Sequence, residues 1–392
     1  MSSLLTENII ANRSTPFYYY NLNLLQQTLQ EIKKHGLSKG YHIHYALKAN
    51  PHLKLLELIK NAGLSADCVS GGEVQRAIDA GFEPNQIAFA GVGKRDSEIQ
   101  LGLDQDILCF NVESIEELKV INELARASDK KARVALRLNP NVDAKTHKYI
   151  TTGLKENKFG INEEDLPLMF ELVPQLTHID LVGIHFHIGS QIENLEPFKK
   201  LCFRANELND LFETNGFNLS IINVGGGFGI SYSNPDEQSV PDFKHYFETF
   251  EQFINLKPHQ ELHFELGRAI TGQCGNLITK VLYTKTGREK NFAIVDAGMT
   301  ELIRPALYQA EHEIQLLNHT TNRTEKEYDV VGPICESSDL FRSDYKLPEL
   351  KRGDYLAIKS CGAYGEVMKS NYNLRHDIGT VFSDEIAVKE LI

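Results

Sequence analysis

The stretch HIHYALKANPHLKLLELIKNAGLSADCVS, residues 42–70, decides the fold class because two short apolar runs flank a segment of helical period. The runs HIHYALK (42–48) and SADCVS (65–70) have the length and composition of buried strands. Two strands that are joined through a helix form a β/α unit, and the strands of such a unit lie parallel in one sheet. This stretch therefore predicts an α/β fold built on a parallel sheet.

The same alternation continues along the chain and gives eight predicted strands. They lie at residues 42–48, 65–70, 87–92, 107–112, 133–139, 181–189, 220–227 and 262–266. Amphipathic segments such as 114–127 and 195–215, with apolar residues recurring at spacings of three and four, separate most of these strands. Eight β/α units predict a closed, TIM-like (β/α)₈ barrel, and a doubly wound sheet is the alternative.

The pattern changes after about residue 270, where strand-like runs are separated by turn residues with few helical periods between them. This region predicts a C-terminal β-rich domain. The N-terminal run PFYYYN (16–21) is also strand-like, and we expect it to join that domain. The predicted division is residues 1–25 as the N-terminal strand segment of the β domain, 26–268 as the barrel and 269–392 as the C-terminal β domain.

Composition limits the kind of partner. The chain has 392 residues and a formal net charge of −12, without a prominent Lys/Arg cluster, which argues against a nucleic acid or an anionic membrane as partner. Six scattered cysteines form no C-x-x-C pair and no zinc-binding spacing, so we expect reduced thiols in a cytoplasmic protein and no metal. We identify neither an export signal nor a run of eighteen apolar residues. A small-molecule substrate is the expected partner.

Polar residues fall where the predicted strands end, which in such a barrel is the reactive face. Each comes from a different strand or from the loop directly after it. They are Lys48, Asp67, Arg137, His185 with His187, the glycine run 225–227 and Glu265. A lysine, carboxylates, histidines and a glycine turn on one rim predict an active site rather than unrelated strand-end residues.

The position of Lys48 needs a chemical explanation, because an ammonium at the end of an apolar run is costly to desolvate without a partner or a covalent modification. Pyridoxal 5′-phosphate provides one, since this cofactor needs a lysine nucleophile, a phosphate cradle, a ring surface and a carboxylate at its ring nitrogen. The turn NVGGGFG can present backbone N–H groups to a phosphate, although a tight turn also favours glycine. His185 and His187 share a strand face, with Ser190 beyond them as a possible phosphate donor. No third ligand accompanies these two histidines at metal-like spacing.

The motifs YALKAN, HFHIGSQ, NVGGGFG, ELGR, RPALY and GPICESSD occur in this order over nearly the whole chain. In this respect the sequence resembles the fold-type III pyridoxal-phosphate decarboxylases and, within them, the diaminopimelate decarboxylases. The resemblance implies a barrel plus a β domain, and an obligate homodimer whose active sites lie between subunits. Two positions depart from the family pattern, namely Leu266 and the pair Ser360-Cys361, and neither is a reacting group.

The resemblance also implies residue roles. Lys48 bonds to the cofactor, His187 stacks on its ring, Glu265 holds the pyridine nitrogen, and Cys335 is the proton donor. The cofactor-binding set is Lys48, Asp67, Arg137, His187, Ser190, Gly225, Gly226, Gly227, Glu265, Gly267, Arg268 and Tyr364. The substrate-binding set is Arg268, Arg304, Tyr308, Glu336 and Tyr364. Cys335 and Glu336 are supplied by the neighbouring subunit.

The expected reaction is the decarboxylation of meso-2,6-diaminopimelate to L-lysine and CO₂, the last step of lysine biosynthesis. A related decarboxylase of ornithine or of a polyamine precursor is the first alternative, although Arg304 with Glu336 suits a substrate whose far end carries both a carboxylate and an amine. A non-catalytic protein that binds the cofactor on the same barrel is the second alternative. That class would be expected to lack the reacting groups or the C-terminal β domain, and this chain keeps both.

Overall fold

The computed structural model describes Ile10 and residues 13–142, 158–317 and 323–387, so the first nine residues of the predicted N-terminal segment lie outside it. The chain divides into two compact units. The barrel unit comprises Thr28–Gly229 and Asp242–Ile270. The β unit comprises the described residues up to Gln27, the segment Ile230–Pro241 and the described residues from Thr271 onward.

The first strand, β1 (Phe17–Tyr20), belongs to the β unit, and the next eight strands form a closed barrel. Each barrel strand pairs in parallel with the next, and the last pairs with the first through His42 and His263. The predicted eight-stranded barrel is confirmed, and the doubly wound alternative is wrong. The barrel strands are β2 (His42–Ala46), β3 (Ser65–Cys68), β4 (Ile87–Phe89), β5 (Cys109–Val112), β6 (Ala132–Arg137), β7 (Ile179–His185), β8 (Ile221–Asn223) and β9 (Glu261–Leu266).

Helices occupy most of the segments between these strands. In order they are α1 (Leu22–His35), α2 (Leu53–Asn61), α3 (Gly71–Asp79), α4 (Asp96–Gln105), α5 (Ile115–Ala127), α6 (Leu166–Leu172), α7 (Glu196–Thr214), α8 (Phe243–Phe253) and the short α9 (Arg268–Thr271). Serine caps start two of them: Ser70 Oγ accepts the Glu73 N–H at 3.2 Å, and Ser114 Oγ accepts the Glu117 N–H at 3.1 Å. These caps fix where α3 and α5 begin behind their strands.

Helix α8 shows how the outer layer packs. Its buried face carries Phe243, Phe247 and Phe250, spaced four and three residues apart as an amphipathic helix requires. The rings of Phe247 and Phe250 contact the ring of Phe264 on β9, with centroids 5.1 and 4.9 Å apart and planes near perpendicular. Since Phe264 points out of the barrel, the alternate residues Glu261, His263 and Glu265 point into it.

Besides β1, the β unit contains β10 (Gly275–Thr286), β11 (Asn291–Val295), α10 (Arg304–Tyr308), β12 (Ile314–Leu316), β13 (Glu325–Val331), β14 (Leu340–Pro348), β15 (Tyr355–Ile358), β16 (Gly379–Phe382) and α11 (Ser383–Ala387). Its eight strands form a mixed sheet with the order β12-β15-β10-β11-β13-β14 along the main path. Strand β1 pairs antiparallel with β10 and parallel with β16. The prediction that the N-terminal strand joins the C-terminal β domain is confirmed.

Two absences hold for the described residues. No helix among them is both long and apolar enough to cross a bilayer. All six cysteines are free thiols, and every one except Cys335 is buried.

Candidate active site

Lys48 lies in a short 3₁₀ turn, Leu47–Ala49, directly after β2. Its neighbour on the next strand supplies a partner, because Ala46 of β2 is in register with Asp67 of β3. The Lys48 Nζ lies 3.5 Å from Asp67 Oδ2, and 39% of the lysine side chain is exposed while the aspartate side chain is fully buried. The lysine therefore lies at the carboxyl end of its strand, with one side of its side chain exposed and the carboxyl group of Asp67 on the other.

Asp67 is a carboxyl group that favours its protonated form. Burial, and after it the negative charge of Glu265, raises the pKa of Asp67 from 3.8 to about 8, against the opposing effect of Lys48. Its Oδ1 is buried and has no hydrogen-bond partner among the described residues. At neutral pH this residue can hold a proton beside the Lys48 amine, and it retains a polar atom able to bind a ligand.

Glu265 lies near the end of β9 at the centre of a fully buried polar cluster. Its Oε1 accepts hydrogen bonds from the side-chain amides of Asn111 at 2.9 Å and Asn223 at 2.8 Å, and its Oε2 lies 2.9 Å from His185 Nε2. Burial alone would raise the pKa of the Glu265 carboxyl, but His185, Lys48 and His44 together hold that pKa well below its ordinary value. The barrel thus keeps the Glu265 carboxylate ionised, whereas the Asp67 carboxyl group favours its protonated form.

Arg137, the last residue of β6, is held by Glu113. The Arg137 Nη1 lies 2.8 and 3.1 Å from the two Glu113 oxygens, and the guanidinium lies over the Phe159 ring at 4.7 Å. Glu113 also accepts the backbone N–H groups of Gly91 and Gly160. This buried ion pair fixes the arginine at the rim, while its Nε is buried without a hydrogen-bond partner among the described residues.

His187 follows β7 by two residues and faces the glycine turn. Its Nδ1 accepts the Gly226 N–H at 3.4 Å, which leaves the ring proton on Nε2. Burial, and then the charges of Arg137 and Lys48, lowers the pKa of His187 well below its ordinary value. His187 is therefore a neutral ring close enough to the rim cations to be affected by their charges.

The glycine turn is required by close chain packing. A Cβ atom on Gly225 would lie 2.0 Å from the Phe186 carbonyl oxygen, and one on Gly226 would lie 1.9 Å from the Glu265 carbonyl oxygen. Gly225 also has a φ of 67°, in the left-handed region. The N–H of Gly225 donates to Asn223 Oδ1 at 2.8 Å, so the first two N–H groups of the turn have partners within the protein.

Ser190 and Arg268 lie together on the same rim. The Arg268 Nη2 donates to Ser190 Oγ at 3.1 Å, and Gly267 separates β9 from α9, which begins at Arg268. Arg268 is itself buried. The sequence motifs HFHIGSQ and ELGR, 78 positions apart at this pair, are joined here by one hydrogen bond.

Arg304 lies at the start of α10 in the β unit and is buried in a fixed orientation. Its Nη1 lies 2.9 Å from His312 Nε2, and His312 Nδ1 lies 2.7 Å from the Lys359 carbonyl oxygen. A carbonyl only accepts, so His312 donates from Nδ1 and accepts from Arg304 at Nε2. The Tyr232 ring lies 4.7 Å from the guanidinium carbon and completes the support.

The remaining predicted residues of the β unit differ in exposure. Tyr308 ends α10 and Tyr364 is half-buried with a φ of 56°, a left-handed conformation that an aromatic residue seldom adopts. Cys335 and Glu336 are exposed. Glu336 Oε1 accepts the Tyr372 hydroxyl at 2.8 Å, and the Cys335 N–H donates to Asn373 Oδ1 at 3.3 Å.

The structure groups the predicted residues in two sets. The barrel unit carries those from Lys48 to Arg268, and the β unit carries Arg304, Tyr308, Cys335, Glu336 and Tyr364. Our sequence reasoning missed three residues that hold the barrel set in place, namely Glu113, Asn111 and Asn223. A polar side chain inside an apolar strand, the signal that identified Lys48, was present in CFNV (109–112) and IIN (221–223).

The barrel residues fit pyridoxal 5′-phosphate. A carboxylate offers about four lone-pair sites, and three donors already occupy those of Glu265, which leaves one for a protonated ring nitrogen. The buried Oδ1 of Asp67 is a second available acceptor or donor. Lys48 is near enough to both carboxyl groups to affect their pKa values. The cluster therefore suits a cofactor that carries a pyridine ring and bonds to an amine.

Comparisons with known proteins agree with this chemistry. The family model described as "Pyridoxal-dependent decarboxylase, pyridoxal binding domain" matches residues 23–272. The chain is 54% identical over 376 residues to the diaminopimelate decarboxylase of Bacteroides thetaiotaomicron, covering 95% of this chain and 96% of that protein.

Solved structures give the same result. The crystal structure of diaminopimelate decarboxylase from Helicobacter pylori complexed with L-lysine is similar with a TM-score of 0.88 and 39% identity, covering 98% of this chain and 99% of that one. An arginine decarboxylase from Paramecium bursaria Chlorella virus aligns over 97% of this chain and 100% of that one with a TM-score of 0.86 and 22% identity. That second likeness shows the fold alone.

Proposed function

We propose, since this chain belongs to the diaminopimelate decarboxylases of the pyridoxal-dependent decarboxylase family, that it converts meso-2,6-diaminopimelate to L-lysine and CO₂. The observation that carries the proposal is the buried, ionised Glu265 carboxylate on the same rim as Lys48. Pyridoxal 5′-phosphate, when bound, supplies an electron sink for the pair of electrons left behind by CO₂. The reaction is the last step of lysine biosynthesis.

The barrel residues bind and tune the cofactor. Lys48 provides the amine that bonds to it, and Asp67 stores a proton 3.5 Å from that amine. Glu265 holds the ring nitrogen in its protonated form, because an ionised carboxylate favours a cation beside it. Electrostatic preorganisation of this kind is usually the largest single contribution to an enzyme's rate enhancement.

The other barrel residues position the ring and the phosphate. His187, a neutral ring because its pKa is lowered, would lie against the cofactor ring and would not attract the phosphate as a cation would. Ser190, Arg268 and the glycine turn 225–227 would hold the phosphate, and Gly267 lies directly before Arg268. Arg137, held by Glu113, contributes a fixed positive charge to the same rim.

The β-unit residues bind the substrate. Arg304 holds the distal carboxylate, because its guanidinium is already oriented by His312 and Tyr232. Glu336 binds the distal ammonium, and Tyr308 and Tyr364 line the substrate site. The thiol of Cys335 donates the proton that replaces CO₂ on the reacting carbon.

We propose further that the enzyme is a cytoplasmic homodimer with shared active sites. Cys335 and Glu336 are exposed on the surface of the chain, as residues that act in a neighbouring subunit have to be. Each subunit therefore contributes this pair to the site of its partner.

A substrate panel tests the activity. We expect CO₂ release from diaminopimelate to exceed that from L-ornithine, L-arginine and L-lysine by several orders of magnitude, because only diaminopimelate carries the second carboxylate. Faster turnover of ornithine would contradict the proposal and favour the polyamine branch. No CO₂ from any amino acid would favour a non-catalytic protein.

Arg304→Ala tests the substrate assignment directly. Removing one member of a desolvated charge pair costs about 2–5 kcal/mol, so kcat/KM for diaminopimelate should fall by roughly thirty- to several-thousand-fold with cofactor binding intact. Arg342→Ala is the matched control, since this arginine of the same unit also lies 4.7 Å from a tyrosine ring. An equal loss on every substrate would refute the role of Arg304.

A further inference from the structure

The amino end of the barrel carries a second cluster of ionisable residues, at the opposite ends of the strands from Lys48. His42 is the first residue of β2, Glu261 is the first residue of β9, and His263 lies two residues along the same strand. Residues two apart on a strand share a face, and His42 is in register with His263 across the strand pair. The three side chains therefore project into the same end of the barrel.

Their potential ligand atoms converge on a single point. Both His42 Nε2 and His263 Nε2 lie 3.4 Å from the same Glu261 oxygen, Oε2. One atom from each of the three residues lies within 4.8 Å of the other two. These separations match the distances between ligand atoms around a metal bound at about 2.0–2.2 Å. The partly exposed His42 ring needs only a small rotation to complete the fit.

A buried hydrogen-bond chain sets the tautomer of His263. His44 Nδ1 lies 3.3 Å from the Ala66 carbonyl oxygen, and His44 Nε2 lies 2.9 Å from His263 Nδ1. A carbonyl only accepts, so His44 donates from Nδ1, and in this tautomer its Nε2 is an acceptor. His44 Nε2 then accepts the proton of His263 Nδ1.

This hydrogen bond determines the role of the other ring nitrogen of His263, Nε2. With its proton on Nδ1, His263 directs a lone pair from Nε2 towards the Glu261 carboxylate, so two acceptors face each other at 3.4 Å. This contact becomes favourable when a cation lies between the two atoms. Histidines that bind metals show the same arrangement, with the remote nitrogen donating to a fixed acceptor.

We propose that His42, Glu261 and His263 form a binding site for a divalent transition metal of the zinc class. Two imidazoles and one carboxylate are a donor set suited to Zn²⁺, and water from the open end of the barrel completes the coordination. The site cannot be recognised from the sequence, because residue 42 lies far along the chain from residues 261 and 263. Only closure of the barrel brings β9 beside β2.

The location gives the metal a structural effect. Strands β2 and β9 are the first and last strands of the barrel, and their pairing closes the ring. A metal that binds both strands in the folded state and finds no such site in the unfolded chain stabilises the fold by mass action. The site lies at the amino ends of the strands, the end of such barrels associated with stability rather than catalysis.

Zinc binding to the cofactor-loaded enzyme tests the proposal. Protein freed of metal by a chelator would be titrated with Zn²⁺ alone, with bound metal measured by mass spectrometry and stability measured as the midpoint of thermal unfolding. We expect wild-type protein to bind zinc and to unfold at a higher temperature with it. His42→Gln and Glu261→Gln should weaken that binding about tenfold or more and abolish the added stability.

His245→Gln is the matched control, because His245 is an exposed histidine paired with a carboxylate, Asp242, and no third ligand joins this pair in the part of the chain that the structure describes. Both test variants alter partly exposed residues at strand ends, so they should fold. Equal zinc binding by wild type, His42→Gln and Glu261→Gln would mean an adventitious ion only and would overturn the proposal. The absence of zinc-dependent stabilisation in the wild type would overturn it as well.

Discussion

Glu265 and Glu336 are both assigned to the active site, yet their surroundings are opposite. Glu265 is buried and has three hydrogen-bond partners from three other strands. Glu336 is exposed, and among the described residues its side chain has one hydrogen-bond partner, the Tyr372 hydroxyl. The first carboxylate is oriented before any ligand arrives. In the described part of the chain the second has no buried partner to orient it, and in the shared site proposed above it would be oriented by the surface of the neighbouring subunit.

The largest effect is expected from removing Lys48, the reacting group of the preorganised barrel site. Lys48→Ala should lower kcat by about a thousandfold or more and remove the visible absorption band of lysine-bound cofactor, because it removes the amine that lies beside Asp67. Steady-state kinetics and an absorption spectrum measure both effects. Lys119→Ala, on the exposed face of α5, is the control. Wild-type activity in Lys48→Ala would remove the basis of the proposed mechanism.

The next prediction separates the two carboxylates. Glu265→Gln keeps the size of the side chain but removes the charge that holds a protonated ring nitrogen, so kcat should fall by about a hundredfold or more. Glu336→Gln should mainly raise KM, since it weakens a substrate contact. Kinetics of both variants on diaminopimelate distinguish these effects. Similar kcat losses in the two variants would show that the contrast between the regions is wrong.

Mixing two inactive variants tests whether the exposed residue Cys335 acts in the site of the neighbouring subunit. Lys48→Ala and Cys335→Ala proteins, each inactive, should regain about a quarter of wild-type activity after random subunit exchange, because half of the dimers carry one intact site. Exchange would be followed with differently tagged chains. Failure to recover activity after demonstrated exchange would contradict sites shared between subunits.

The smallest expected effect concerns the pH dependence of stability in cofactor-free protein. The pKa of Asp67 is raised from 3.8 to about 8, so the folded state binds the proton more tightly than the unfolded state does. The stabilising contribution is complete below about pH 4 and is lost as the pH rises through about 8. Urea unfolding should show a smaller loss of stability over this range in Asp67→Asn than in wild type. The same slope in both proteins would argue against a raised pKa.

Periodicity and residue position predicted much of this architecture. Eight apolar runs predicted eight barrel strands, and the rim positions of Lys48 and Glu265 followed from the ends of those strands. The partners of these residues could not be predicted, because Asn111 and Asn223 reach Glu265 only after the strands close into a ring with a defined register. Local sequence contains no information about which inward side chains meet across the barrel.

Two further features show the limit of local patterns. The glycines of NVGGGFG were interpreted as a phosphate cradle, but Gly225 and Gly226 are also required where the chain passes the carbonyls of Phe186 and Glu265. The segment Ile230–Pro241 lies within the barrel region of the sequence and yet belongs to the β unit. Its residue Tyr232 contacts Arg304, and its Gln238 carbonyl accepts from Gln273 at 2.6 Å. Both features arise from contacts between residues distant in sequence.

The pairing of β1 has a consequence for synthesis on the ribosome. Its four residues, FYYY, are fully buried between strands at residues 275–278 and 379–382. At about 5–20 residues per second, roughly ten seconds to a minute pass before the first of these partners emerges, and longer before the second. During that interval three tyrosines and a phenylalanine remain unpaired on a nascent chain whose barrel strands are already emerging in order. The segment therefore remains an unpaired, aggregation-prone strand until the other end of the protein has been translated.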